Sequence, residues 1–417
     1  MLSTLLDLTG LLEWSCPIYA AITAPFLASC PVLTADATEQ TMTPTTSSPT
    51  SPGRSPAASP DTEAGTSPGA SSAAPPARPR IIGLDVARAL ALLGMMVNHL
   101  MEPDGWAGEI FRGFPSALFA VMAGFSLSIM GARGVREGGG SLAGSRHGLI
   151  VRGAVLIALG ALIEPFAGTI QVVLSAFGIC YVALACAPRW RTSTLAVVAG
   201  LLVAPCAISH VLNMTVGVPA SLVPVMSGPY PAVVWAAYMV IGVIAHRLLT
   251  RSTRTQLLTV LIGTPLAVVG TVLRGYVDLD AMLDSGDLGA LALTSVIDPT
   301  AHSGGLIDMV TSVSGALAVI ALCLLVFKGG WWSFPLQAIG SMSLTVYVAH
   351  VLSAGPFLVE DAPERLPVLG AATVLLSLAL ATLIRLRFRH GPLEWTMRRL
   401  IRLATDRSRP GISRNQA

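Results

Sequence analysis

The sequence predicts an all-α fold, a polytopic bundle of about ten membrane-spanning helices preceded by a disordered N-terminal tail. Three observations carry that expectation. Hydrophobic residues are 53% of the chain and charged residues 12%, against about 25% charged in an ordinary soluble domain, so there is too little charge to cover a soluble surface. From residue 81 onward, apolar runs of membrane-crossing length follow one another closely. The loops between them alternate in charge, arginine-rich and then acidic or neutral.

Residues 1–80 differ in texture from the rest of the chain. A mildly apolar stretch at 18–33 carries two prolines, and only Asp7 and Glu13 supply charge ahead of it. A signal peptide would want a basic flank there, so the stretch reads either as an interfacial segment or as sequence upstream of the mature start. Residues 34–80 are Ser, Thr, Pro, Ala and Gly with almost nothing large and apolar. Such a segment buries too little surface to offset its ordering entropy and is expected to be disordered. The bundle is assigned to 81–390 and a basic C-terminal segment to 391–417.

The apolar runs fall at 81–101, 114–131, 149–166, 169–187, 193–211, 230–247, 257–274, 305–327, 334–356 and 367–387. Runs of about 18–24 residues suffice to cross a ~30 Å hydrocarbon core at ~1.5 Å per residue. Arg133, Arg136 and Arg146 fill the second loop, Arg189 and Arg191 the fourth, Arg247, Arg251 and Arg254 the sixth, and Lys328, the sole lysine, the eighth. The intervening loops hold Glu102, Asp104 and Glu109, then Glu164, then Asp278, Asp280, Asp284, Asp287 and Asp298, then Glu360, Asp361 and Glu364. By the positive-inside rule, both ends of the bundle are expected in the cytoplasm, as a multi-pass protein of the cell membrane.

Ionisable groups inside such runs are costly and point to function. The first run holds Asp85, Arg88 and His99. Asp85 and Arg88 are three apart and can pair on one helix face. His99 lies about 16 Å further along the same face, so a cation stands near the inner mouth and an imidazole near the outer one. Read as packing alone, Asp85 and Arg88 are an interfacial pair and His99 a helix-end residue. On the functional reading His99 is a general base, with Glu102 or Asp104 orienting its ring. The charge alternation also puts His210, His302 and His350 on the outer side, and His147, His246 and His390 on the inner side beside arginines. His302 and Ser303 either line an outer cavity or simply open the next helix, with Ser303 as its cap.

Several classes are excluded or disfavoured. There is no HxxxH or HExxH spacing, so no metal site is expected. The six cysteines have no ligand-type spacing and read as small packing residues. No nucleotide-binding loop or GxSxG elbow occurs, and the basic tail suits anionic lipid, not nucleic acid.

The stretches RIIGLDVARALALLGMMVNHL and FPSALFAVMAGFSLSI resemble the opening of YeiB-like membrane proteins. They are also similar to the catalytic region of heparan-α-glucosaminide N-acetyltransferases. The spacing from Arg88 to His99 is similar to the Arg/His pair in the first helix of membrane-bound acyltransferases that O-acetylate glycans. LQAIGSMSLTVYVAHVL (336–352) and GPLEW (391–395) resemble the YeiB-like C-terminal motifs. Relatives usually carry Gly after the arginine, where this chain has Ala89.

The resemblance implies a transmembrane acyltransferase that takes an acyl group, acetyl above all, from cytosolic acyl-CoA. The acceptor would be a hydroxyl or amine of an extracytoplasmic glycan or lipid. His99 would be catalytic. Asp85 and Arg88 would serve the donor side, and Asp104, His302, Ser303 and His350 the acceptor side. The rival classes are a small-molecule or lipid transporter or flippase without chemistry, which broken helices or an inverted repeat would favour, and a structural or sensory membrane protein.

Overall fold

The computed structural model describes residues 80–215, 230–274, 276, 288–359 and 365–407, apart from the side chains of 204–215, 288, 291, 295, 406 and 407. The expected N-terminal tail, the acidic residues from Asp278 to Asp287 and the side chain of His210 lie outside the described residues. Every element among the described residues is helical.

In chain order the helices are α1 (Ile82–Met101), α2 (Gly105–Phe111), α3 (Phe114–Glu137), α4 (Gly139–Ile163), α5 (Leu174–Ala183), α6 (Thr192–Thr215) and α7 (Ala232–Leu249). They continue as α8 (Thr253–Arg274), α9 (Leu288–Ile297), α10 (Leu306–Val326), α11 (Phe334–Ser341), α12 (Ser343–Ala354), α13 (Pro367–Arg387) and α14 (Pro392–Arg407). Local chemistry sets several ends. α1 stops where Glu102 turns left-handed at φ 39° ahead of Pro103, which cannot continue a helix. α3 starts from Gly113 at φ 82°, with Pro115 in its first turn, where no intrahelical amide bond is lost.

Each of the ten expected runs coincides with a helix, but they are not alike. Among the described residues, seven helical stretches are long and apolar enough to cross a membrane, and eight if α11 and α12, bent by 72° at Met342, count as one span. α5 has only 10 residues, which is about 15 Å and too short to cross alone. The rest of the expected run 169–187 is spent in turns on either side of it. α9 is an additional short helix, uncharged and mostly apolar, lying between Asp287 and Asp298 in what the sequence predicts as an acidic loop.

α1, α3, α7 and α10 form the buried middle of the bundle, while α4, α8 and α13 turn most of their surface outward. Their outward residues are apolar, among them Leu261, Val269, Leu376, Leu383 and Leu386, as a lipid-facing surface requires. Backbones touch at small residues. A Cβ on Gly124 would overlap the Met239 carbonyl, and one on Gly242 the Val121 carbonyl, so α3 and α7 pack at glycine contacts. Cys180 and Cys323 are free and buried, whereas Cys186 departs from the packing expectation by being disulfide-bonded.

The helix ends sort onto two faces. On one, Arg247 at the end of α7 donates to the Trp190 and Pro188 carbonyls at 2.7 and 2.8 Å, and Glu394 of α14 meets the start of α12. On the other, the Leu366 amide donates to Leu100 at 2.7 Å and the Thr169 amide to Leu358 at 2.8 Å. Among the described residues, Arg189, Arg247 and Arg251 lie at the first face and Glu102, Asp104 and Glu164 at the second.

Candidate functional site

α1 carries the expected ionisable residues, and its neighbours decide their surroundings. The Asp85 carboxylate, 3% exposed, accepts from Arg88 at 3.1 Å and also pairs with Arg80. Arg88 donates through its other terminal nitrogen to Ser126 Oγ at 2.6 Å, and that hydroxyl donates onward to the Met122 carbonyl at 2.7 Å. One buried carboxylate therefore answers two guanidinium groups, which leaves net positive charge at this end of the site.

Arg88 borders a cavity of about 520 Å³, counting its open mouth, between α1, α3, α4, α5 and α12. Its polar lining is Arg88, Ser126, Arg152, Tyr181, Ser343 and Tyr347. The Arg152 guanidinium lies 5.3 Å from the centre of the Tyr181 ring, and its Nε has no hydrogen-bond partner among the described residues. Two arginines held over apolar walls make this an anion-receptive cavity, since burial strengthens their attraction for a phosphate or carboxylate. The Tyr347 hydroxyl accepts from the Val173 amide at 3.2 Å and keeps its own proton for donation.

Beyond Tyr347, one turn further along α12, stands His350, only 4% exposed, with no hydrogen-bond partner on either ring nitrogen among the described residues. His99 stacks on it, ring centres 5.9 Å apart and planes 23° apart. The structure thus brings His99 and His350 together, eleven residues beyond Arg88 on α1 and three beyond Tyr347 on α12.

His302 joins the same end of the bundle from the turn between α9 and α10. Its ring meets Tyr230 at 5.4 Å and Trp235 at 5.7 Å, and its Nε2 lies 3.3 Å from Ser116 Oγ. Ser116 spends its own proton on the Gly113 carbonyl at 2.7 Å, so the hydrogen-bond network assigns His302 as the donor, with the proton on Nε2. Burial beside these rings pushes the His302 pKa down to about 4, helped by the nearby Arg274 and His99. His302 is therefore neutral at pH 7.

The other expected residues sit differently. Asp104 turns away from the histidines and forms a two-pronged, exposed ion pair with Arg365, so it does not orient His99. Ser303 holds its own turn, donating to the Asp298 carbonyl at 3.2 Å and accepting from the Gly305 amide at 3.1 Å. It does not cap α10, whose N-cap is Gly305. Among the described residues no three His, Cys, Asp or Glu side chains are grouped so as to share a metal ion.

Sequence reasoning passed over Arg152, Tyr347 and the buried pair Arg274–Asp308, whose charged atoms are 3.2 Å apart. Arg152 and Asp308 lie inside apolar runs, the same signal that singles out Arg88. Tyr347 lies inside the 336–352 motif, at the i−3 position to His350.

No curated protein matches the chain. Residues 245–404 match the family model described as "Protein of unknown function (DUF418)", the family to which YeiB-like proteins belong. The matched stretch holds His302, Ser303, Tyr347 and His350, whereas Asp85, Arg88, His99 and Arg152 precede it. The C-terminal part of the chain is thereby similar to a family that is described by its sequence and by no activity.

Proposed function

We propose that this multi-pass membrane protein transfers an acyl group from cytosolic acyl-CoA to a hydroxyl or amine of an extracytoplasmic glycan or lipid. One observation carries the reading: a cavity lined by two arginines also takes in Tyr347, one helical turn from buried His350, on which His99 stacks. The arginine-rich face is assigned to the cytoplasm. Arg88 and Arg152 receive the phosphates of the donor there, and the acyl thioester reaches toward Tyr347. His99 removes the proton from the acceptor oxygen or nitrogen as that atom bonds to the acyl carbon. The carbon–sulfur bond breaks, and the CoA thiolate leaves and is protonated in solution. His350 fixes the ring of His99 by stacking, and His302 donates its Nε2 proton within the acceptor-side wall.

The test uses purified protein in sealed vesicles with radiolabelled acetyl-CoA outside and a cell-envelope glycan and lipid extract inside. His99→Ala is expected to abolish label transfer at normal expression, and transfer at the wild-type rate in that variant would end the assignment. Arg152→Met is expected to raise the donor KM while leaving kcat nearly unchanged, since it removes binding and no chemistry.

A specific observation favours a second reading. The span α11–α12 is broken at Met342 by 72°, and Ser343 and Leu344 at the break line the cavity. Broken helices of this kind build substrate sites in transporters. A flippase or small-molecule carrier would show no acetyl-CoA binding at millimolar donor, whereas the acyltransferase binds it.

A further inference from the structure

A second cationic cavity lies away from the acyl-transfer site, where the end of α3, the first turns of α4 and the turn after α5 meet on the arginine-rich face. It encloses about 190 Å³ counting its mouth, with Ser145, Arg146 and Arg189 as its polar lining and Val135 and Leu142 beside them. Arg146 is the unusual member. It is 6% exposed, and among the described residues its Nε and Nη2 have no hydrogen-bond partner. Its charged neighbour is another cation, Arg189. Glu137, the acid nearest in sequence, is taken up by Arg133 at 2.8 Å and by Ser141 at 2.7 Å.

A buried guanidinium with idle donors, no acid paired to it among the described residues and a second cation beside it is unfavourable unless an anion completes it. The guanidinium fork matches the paired oxygens of a phosphate, and Ser145 adds a hydroxyl at the wall. The enclosed part has room for about one water molecule, so a single phosphate group seated at its mouth fits it and a nucleotide does not. We infer that Arg146, Arg189 and Ser145 form a binding site for a single phosphate group, presented either by an anionic phospholipid headgroup of the adjoining leaflet or by a small soluble phosphate. The site works whether or not the chain transfers acyl groups.

The test measures thermal unfolding of the purified full-length protein in phosphate-free neutral detergent. Inorganic phosphate is added in one arm, with chloride of equal ionic strength as reference. In the other arm the protein is placed in nanodiscs of phosphatidylcholine with or without phosphatidylglycerol, and bound lipid is counted by native mass spectrometry. Wild type is expected to be stabilised by phosphate or by phosphatidylglycerol, saturably and beyond the chloride reference. A response to phosphate identifies a soluble ligand, and a response to phosphatidylglycerol alone identifies a lipid headgroup. Arg146→Met is expected to lose the response, and Arg189→Gln to need about tenfold more ligand, the usual scale for losing one charge-assisted contact. Arg136→Gln, on the same face but outside the cavity, is expected to respond as wild type. If Arg146→Met fails to fold, Arg189→Gln and Arg136→Gln still decide the matter. No response from wild type in either arm overturns the inference, as does an unchanged response in Arg189→Gln.

Discussion

The Glu394 carboxylate caps the broken span: it accepts from the Thr345 hydroxyl at 2.6 Å and from the Leu344 and Thr345 amides at 2.7 and 3.1 Å. Thr345 Oγ1 in turn accepts from the Leu393 amide at 3.2 Å. The bend at Met342 frees the first amides of α12, and a carboxylate from a separate helix satisfies them and complements the helix dipole. This joins α14, an amphipathic helix with Met397 buried and Arg398, Arg399 and Arg402 along it, to a wall of the cavity. Glu394→Ala is expected to destabilise the protein by about 2 kcal/mol, the upper range for losing an N-terminal cap. Limited proteolysis should then cut near residues 387–391 before the bundle unfolds. Cleavage no faster than in wild type would show that Glu394 does not hold α14.

Gly340 marks the closest approach of α11 to α1. A Cβ there would overlap the carbonyl of Asp85, backbone against backbone, so neither partner can swing aside. Gly340→Ala is expected to push α11 away from α1 and to cost about 1–3 kcal/mol, as overpacking a tight core does. The same displacement would loosen the Asp85–Arg88 pair. The measurement is the unfolding midpoint of the variant beside Gly329→Ala, whose added Cβ meets nothing closer than 4.0 Å.

Much of the bundle was legible because hydrocarbon imposes length and composition on a crossing helix, and α1, α3, α7, α8, α10 and α13 fall close to their apolar runs. α5 was not legible as a short helix. Apolarity marks what sits among apolar neighbours, and the turns around α5 are buried against the bundle as its helical residues are, with Ala167, Ile170, Leu184 and Ala187 all inside. At the site, the pairing of Asp85 with Arg88 followed from helical spacing alone. The stacking of His99 on His350 did not, because it depends on how two helices 251 residues apart are rotated. Asp104 failed as an orienting group for a similar reason. Chain proximity to His99 counted for less than Arg365, which arrives from the far end of the sequence.

Arg274 and Asp308 form a buried ion pair, their side chains 9% and 2% exposed. Ser312 also donates to the carboxylate at 3.2 Å, but among the described residues one carboxylate oxygen and Arg274 Nε have no hydrogen-bond partner. Removing one partner strands the other charge in a low-dielectric interior. Arg274→Met is therefore expected to destabilise by about 3–5 kcal/mol, and the double change Arg274→Met with Asp308→Leu to recover most of that loss. Thermal unfolding of the two single variants and the double variant closes the cycle. A double variant as unstable as the sum of the singles would remove the coupling.

His302 gives the fold a pH dependence whose sign follows from its surroundings. Burial, Arg274 and His99 lower its pKa from 6.5 to about 4 in the folded protein. Between these two values the unfolded chain binds the proton and the folded one does not. Stability therefore falls as pH drops from 6.5 toward 4, and the contribution is constant above and below that window. Its size is roughly 2 kcal/mol once partial exposure is discounted. Protonation would also place a cation against Arg274 and within the rings of Tyr230 and Trp235. His302→Asn removes the titration, keeps a side-chain donor and tolerates the left-handed backbone at φ 68°. The unfolding midpoint of wild type should lose more between pH 6.5 and 4 than that of His302→Asn, and both should run parallel from pH 7 to 8. Equal losses in the acid window would assign that pH dependence to other groups.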